Sequence, residues 1–457
     1  MSKLSIANLK KTIYYFKRNG LRDTYLAALE RLQKSEYADY QYIEVSEEEF
    51  ARQKQWADHL EDAPLFSVLV PVYHTPEHYL REMVESVLNQ SYGKLELIIA
   101  DAGCDDPKVA EVISGYKDER IVYIPLQDNK GISDNTNVAL AVAKGEYIGL
   151  LDHDDVLTLD ALYEMAKHIM DAKDQGVEVS LIYSDEDKCD EDGKTFYEVH
   201  RKKKFNLDLI LSNNYICHFM VMKSELMKDL GFRKAYDGAQ DHDITLRAVY
   251  RILNGECGKL SVEHERHIVH IPKVLYHWRC HRGSTAANPQ SKQYAYEAGG
   301  RAIRDFLTEA KIEANVTSSR HVGFFSVEYL PDVFAARKDV GLVGGPIYKK
   351  DKITGGIYDK NGECPFYGLR KGFSGYMNRA VLNQEADIVD IRNVQIRPEL
   401  AEVYQNVLEH MYTEHAKLKN REVSVWPDEL SFVASAELCE KVREAGYRIL
   451  WMPTCIK

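Results

Sequence analysis

From residue 65 onward, short apolar runs alternate with helical stretches, and no other feature of the chain constrains its fold as strongly. Residues 66–72, 95–100 and 121–124 read as strands, and helical patterns occupy about 77–89, opening after Thr75-Pro76, and about 132–143. A further strand over 146–151 runs straight into Asp152-His153-Asp154-Asp155. Strands spaced by helices of this length predict right-handed βαβ units and a mainly parallel sheet with flanking helices, an α/β fold. Ligands of such sheets bind beyond the carboxyl ends of the strands. Tyr73, Asp101 and the acidic run at 152–155 all fall at those ends, so they are expected to converge on one crevice.

The rest of the chain divides around this core. At 457 residues it has room for two or three domains. Residues 1–34 carry eight Lys or Arg against two acids, whereas 35–64 carry nine acids against two bases. Ile6, Leu9, Ile13 and Phe16 recur at helical spacing until Asn19-Gly20, and Leu21, Tyr25, Ala28 and Leu32 suggest a second helix. Such a basic amphipathic segment either packs on the main domain, the favoured expectation, or lies on an anionic membrane surface. A third region is expected from 321, after the polar stretch 316–321. It contains a strand at 340–343, helical runs at 399–417 and 434–445, and a strand at 447–452. The expected division is a charged helical region at 1–64, a catalytic domain at 65–320 and a smaller α/β module at 321–457.

Composition narrows the partners. Subtracting 71 acidic from 59 basic side chains leaves a net charge of -12, which argues against a nucleic-acid backbone. The eight cysteines stand singly with no C-x-x-C pair, as expected of reduced thiols in the cytoplasm. The first residues show no apolar leader, and nothing approaches the run of about 18 apolar residues that a spanning helix needs. The expected location is cytoplasmic, with peripheral contact at the inner face of the membrane through residues 1–34 left open.

Carboxylates crowded at a strand end cost desolvation and repulsion unless a cation or partner relieves them. Mg²⁺ or Mn²⁺ would do so, because it prefers oxygen ligands and often takes only one or two from protein, leaving the rest to water and phosphate. Neither a dinucleotide fingerprint nor a P-loop follows the first strand. A nucleotide would have to be held by other means.

A dense series of blocks across 65–285 resembles the family 2 inverting glycosyltransferases of the GT-A fold, in particular the larger two-domain bacterial members that build surface polysaccharides. The blocks include Val70-Pro71-Val72-Tyr73, Ile98-Ile99-Ala100-Asp101, Asn129 with Gly131 and Asn137, Asp152 to Asp155, and Tyr183 with Asp185 and Asp187. Later blocks are Gln240-Asp241 with Asp243, and Tyr276-His277-Trp278-Arg279-Cys280-His281, followed by Ser284-Thr285-Ala286. Cys104, Asn135 and Thr136 depart from the family pattern.

The resemblance implies a Rossmann-like GT-A core, a Mn²⁺ or Mg²⁺ cofactor, a nucleotide-sugar donor and a glycan or lipid-linked acceptor. It implies that Pro71, Tyr73, Asp101, Gly131, Asn137 and Asp152 line the nucleotide. Asp154, with Asp152 and His281, would hold the metal; His277 competes with His281 for that place. Asp155 and Arg279 would be accessory, and Asp185 and Asp187 would either touch substrate or form an acidic strand-end turn. Asp241 would be the base that takes the acceptor proton in a single inverting displacement, with Asp243 pointing elsewhere. Residues 340–457 resemble, more faintly, an incomplete second module for acceptor binding or self-association, in which Pro427-Asp428-Glu429 lacks a nucleotide site. The competing reading is an inactive glycan-binding scaffold, against which the intact Asp154, Asp241 and His281 argue.

Overall fold

The computed structural model describes residues 6–32, 40–103, 105–254, 260–281, 293–419 and 421–455; Cys104 and the 284–286 block lie outside them. Helix α1 (Ile6–Leu32) bends at Gly20, whose φ of 79° interrupts it where Asn19-Gly20 predicted a stop. Helix α2 (Glu47–Asp58) begins behind a Ser46 cap with three glutamates in its first turn, where the helix dipole favours negative charge.

The predicted alternation then forms: β1 (Phe66–Val72), α3 (Glu77–Leu88), β2 (Leu95–Asp101), α4 (Lys108–Ser114), β3 (Ile121–Pro125), α5 (Ile132–Val142) and β4 (Tyr147–Leu150). Helix α4 was not expected, since seven residues span too few turns to show a period. The chain continues through β5 (Val156–Leu157), α6 (Ala161–Asp174), β6 (Leu181–Cys189), β7 (Phe196–His200), α7 (Leu207–Ile210), β8 (Met220–Lys223), α8 (Ser224–Leu230), α9 (Gln240–Leu253) and β9 (Ile268–Arg279).

These strands make one sheet in the order β3-β2-β1-β4-β8-β6-β9-β5, with β7 added on β6. The pairs β1–β2, β1–β4, β2–β3 and β6–β9 are parallel. Strand β8 runs against both β4 and β6, and β5 and β7 are antiparallel as well. Strands β1 and β2 are covered on both faces: Leu69, Ile98 and Ala100 enter one core, Val68, Val70 and Ile99 the other. Burial on both sides explains why they read as unbroken apolar runs. Gly145 admits the start of β4 beside β1, because a Cβ there would stand 2.6 Å from the Ser67 amide nitrogen.

Helix α10 (Gln293–Glu309) leads into a hairpin of β10 (Ala314–Ser318) and β11 (Phe325–Tyr329), and residue 321 lies in its turn. The hairpin buries Val316, Phe325, Val327 and Tyr329 in the core that also holds Leu246, Ile303 and Phe306. Its other face is wet, so the segment looks polar on average although it is half core. Beyond it, β12 (Val340–Gly344) joins the strands Gln384–Glu385, Val394–Ile396 and Arg448–Trp451 in a four-stranded sheet. Its own core includes Leu342, Val407, Leu438 and Trp451.

Charged side chains weld this module to the rest. Arg337, fully buried, donates to Asp208 at 2.9 Å, to the Tyr329 hydroxyl at 2.8 Å and to Asp339 at 2.8 Å. Arg448 donates to the same Asp339 at 2.8 Å and to Glu385 at 3.1 Å. Helix α1 docks on the hairpin turn and the 372–375 loop: Asn19 donates to the Arg320 carbonyl at 3.1 Å, and Glu30 accepts from the Ser374 and Gly375 amides.

Two outcomes follow from these contacts. Arg337→Met leaves Asp208 and Asp339 without their shared cation, and a loss of about 3–5 kcal/mol is expected, read as a lowered urea midpoint. His321, beneath α1 and donating to or accepting from Ser374 Oγ at 2.7 Å, is pushed down from 6.5 to about 4 by burial and the nearby Arg320. The unfolded chain therefore binds a proton that the folded chain refuses, and stability falls as pH drops from 6.5 toward about 4. Denaturation midpoints across that window should show the dependence weakened in His321→Gln.

Candidate active site

The carboxyl ends of β1, β2 and β4 open on one edge of the sheet. Val72 pairs with Asp101, and Tyr73 follows immediately, 49% exposed, with its ring edge-on to His74 at 4.2 Å. Pro71 lies inside β1 opposite Ala100. Asp101 is buried and accepts from the Gly103 amide at 2.9 Å and the Tyr123 hydroxyl at 2.7 Å, which hold its carboxylate at the strand end.

Strand β4 releases the chain into Asp152-His153-Asp154-Asp155, and β9 delivers His281 two residues past its own end. His281 Nε2 lies 2.8 Å from Asp154 Oδ2, across 127 positions of sequence. Burial, opposed by His218 but reinforced by the Asp154 charge, pushes the Asp152 carboxyl up. Among the described residues no three His, Cys, Asp or Glu side chains form a ready metal cage. The expected trio Asp152, Asp154 and His281 is therefore not preassembled. A carboxylate and an imidazole in contact, with a second carboxylate two residues away, still fit a hard divalent ion that completes its shell from phosphate and water.

The candidate base stands in the first turn of α9. Asp241 Oδ2 accepts from Asn214 Nδ2 at 2.6 Å and from Cys217 Sγ at 3.1 Å. His218 Nε2 is 3.2 Å from the same sulfur, and its ring stacks on Tyr276 at 4.5 Å. The Tyr276 hydroxyl donates to Asp155. Sequence reasoning missed Asn214, Cys217 and His218, which occupy an aperiodic connection before β8; the adjacent Cys-His pair was the available signal. Asp243 points elsewhere, as expected, and is buried against Arg233 and Arg247.

Several expected site residues turn inward instead. Asp155 is buried and accepts from Tyr276 and from the Arg279 amide at 2.7 Å. Arg279 is also buried; its side chain donates to the Asp154 carbonyl at 2.7 Å and to Glu82 at 2.5 Å, so it braces the acidic loop from behind. His277 pairs with Asp187 at 2.5 Å between the rings of Tyr42 and Phe196, which takes it out of competition with His281 for Asp154. Asp187 accepts from Tyr40 as well, and Asp185 accepts from the Lys202 amide and from His270, each at 2.8 Å. Asn137 exchanges two hydrogen bonds with the Phe232 backbone, both 2.8 Å. Gly131, at φ 100°, makes a turn in which a Cβ would stand 2.2 Å from Asp237 Oδ2. Each of these residues is thus engaged within the fold.

A strand-end acidic loop with a contacting histidine and a helix-borne aspartate thus stand on one mixed α/β sheet. The Glycosyl transferase family 2 model matches residues 67–231, so the chain carries a domain of that family over those residues. It is 41% identical over 251 residues to an uncharacterised protein, y4gI, of Sinorhizobium fredii, covering 54% of this chain and 26% of that protein. It is 31% identical over 263 residues to the O-antigen biosynthesis protein RfbC of Myxococcus xanthus, covering 56% of this chain and 19% of that one. The chain thus spans about a quarter and a fifth of the length of these two relatives. Among solved structures, S. aureus TarS 1-349 in complex with UDP-GlcNAc aligns at 21% identity over 55% of this chain and 68% of that chain, with a TM-score of 0.43.

The two histidines should separate experimentally. His281→Ala is expected to weaken Mn²⁺-dependent nucleotide binding by about tenfold or more with little change in melting temperature. His277→Ala, which empties a packed aromatic site, should lower the melting temperature and leave metal-dependent binding in place. Calorimetric titration and thermal melts check both.

Proposed function

We propose that the chain transfers a sugar from a nucleoside diphosphate donor to a hydroxyl of a glycan or lipid-linked acceptor in cell-surface polysaccharide synthesis, with inversion at the anomeric carbon. The observation that carries this reading is the pairing of Asp154 with His281 at one strand end while Asp241 stands, anchored, at the head of α9. The RfbC resemblance supports the polysaccharide setting.

In this reading the acceptor hydroxyl attacks opposite the departing diphosphate and gives its proton to Asp241. A bound Mn²⁺ or Mg²⁺ would supply charge neutralisation for the leaving diphosphate, held by Asp154 and His281 with Asp152 beside them. Tyr73 and Asp101 border the nucleotide. Arg279 and Asp155 hold the acidic loop in place rather than touching substrate.

Purified protein with Mn²⁺ or Mg²⁺ and a panel of nucleotide sugars should show one donor that raises the melting temperature and is turned over. Asp241→Asn should abolish transfer and keep donor binding; undiminished turnover removes Asp241 from the mechanism. A glycan that shifts the melting temperature when no donor does so would favour the scaffold reading.

The same reading sets the protein against the inner face of a membrane, where lipid-linked acceptors reside. Ile13, Phe16, Leu21 and Tyr25 of α1 are exposed beside Lys17 and Arg22, while the helix also docks on the body. Anionic phosphatidylglycerol vesicles should sediment the protein in a salt-sensitive manner, and Ile13→Ser with Phe16→Ser and Leu21→Ser should abolish it. Equal binding to neutral vesicles would refute the charge component.

A further inference from the structure

We infer that Asn214 and Cys217 are positioning residues for the Asp241 carboxylate, two donors that anchor one oxygen and leave the other to the acceptor. The inference rests on the reading of Asp241 as base.

The chemistry of the contact fixes which groups donate. An ionised carboxylate only accepts, so Asn214 must present its amide nitrogen at 2.6 Å. That choice leaves Asn214 Oδ1 buried with no hydrogen-bond partner. An orphaned buried carbonyl is costly, and proteins keep such groups chiefly where another requirement holds them. Here the requirement is visible: flipping the amide would set its oxygen against the Asp241 oxygen.

Cys217 contributes the second donor. Burial first, and the neighbouring Asp241 charge next, push its thiol well above the ordinary range, so the sulfur keeps its proton and its S–H points 3.1 Å toward Oδ2. The backbone around the thiol is pinned. Lys202, buried, donates to the Ile216 carbonyl at 2.7 Å and to the His218 carbonyl, and is paired with Glu186 at 3.2 Å. Burial raises the Glu186 carboxyl, but Lys202 and His200 outweigh it and hold the group low, so this ion pair stays charged. On the far side, His218 approaches the sulfur at 3.2 Å and stacks on Tyr276, interplanar angle 10°, which ties the thiol to β9 and the acidic loop.

Both donors fall on Oδ2, and Oδ1 takes no hydrogen bond from the described residues. A carboxylate held at one oxygen has a defined rotamer and one oxygen for the incoming hydroxyl. Without the anchors it would sample other rotamers, and the hydroxyl would meet a correctly aimed oxygen less often.

The test uses the full chain with whichever nucleotide sugar it turns over, measuring kcat, KM for donor and acceptor, and the donor-induced melting shift. Removing a hydrogen bond to a charged group corresponds to about 10–100-fold in rate when the bond matters in the transition state. Asn214→Ala should lower kcat within that range, with donor KM within about twofold and the donor-induced shift retained. Cys217→Ala should lower kcat less, since S–H is a weak donor, and Cys217→Ser should restore it by supplying an O–H. If Asn214→Ala fails to fold, Asn214→Ser takes its place. The inference is overturned if the Asn214 and Cys217 variants keep the parent kcat, if Cys217→Ser is as impaired as Cys217→Ala, or if every loss comes with lost donor binding. Asp241→Asn separates the two failures: an inactive Asp241→Asn beside unaffected Asn214 and Cys217 variants defeats the inference alone, whereas an active Asp241→Asn defeats the base reading and the inference together.

Discussion

Parallel pairing of β1 with β2 and β4, and of β6 with β9, is the constraint on which the rest of this molecule depends. Strands that share a direction release their chains on the same edge of a sheet. Asp101, the acidic run after β4 and His281 after β9 therefore meet on one edge although 180 residues of sequence separate the first from the last. Strand β8, running the other way, enters from that edge, so the connection leading into it can bring Asn214, Cys217 and His218 to the same place.

The edge is crowded with carboxylates, and their neighbours sort them by role. Asp155, Asp185, Asp187 and Asp243 each have internal donors that satisfy them in the fold. Asp152 has burial pushing its carboxyl up, and among the described residues Asp154 meets His281 and its own loop, the condition in which a cation is welcome. Among the described residues, Asp241 takes hydrogen bonds on one oxygen only. In the proposed function, a chain of net charge -12 meets a diphosphate through an ion held by a few of its acids.

Much of the fold was legible. Strands β1, β2 and β4 were readable because they are largely buried, and helix α3 because its apolar residues line one buried side. The β10–β11 hairpin was not, since its alternating residues average to a polar stretch and its apolar face is recognisable only against α10 and α9. The same holds for the weld at Arg337: Asp208, Asp339 and Arg448 are ordinary charged residues until the fold removes water from around them.

At the site, the chain alone determined that acidic residues follow the fourth strand and that Asp241 opens a helix, because both are local facts of order and spacing. Only the tertiary structure showed which of His277 and His281 touches Asp154. His277 lies within β9, where it turns into an aromatic pocket against Asp187, while His281 lies past the strand end and reaches Asp154. It also decided that Arg279 and Asn137 brace the scaffold and that Asn214 and Cys217 reach Asp241. Those assignments depend on which groups remain near one another after water is excluded, and sequence spacing carries no information about distance across a sheet.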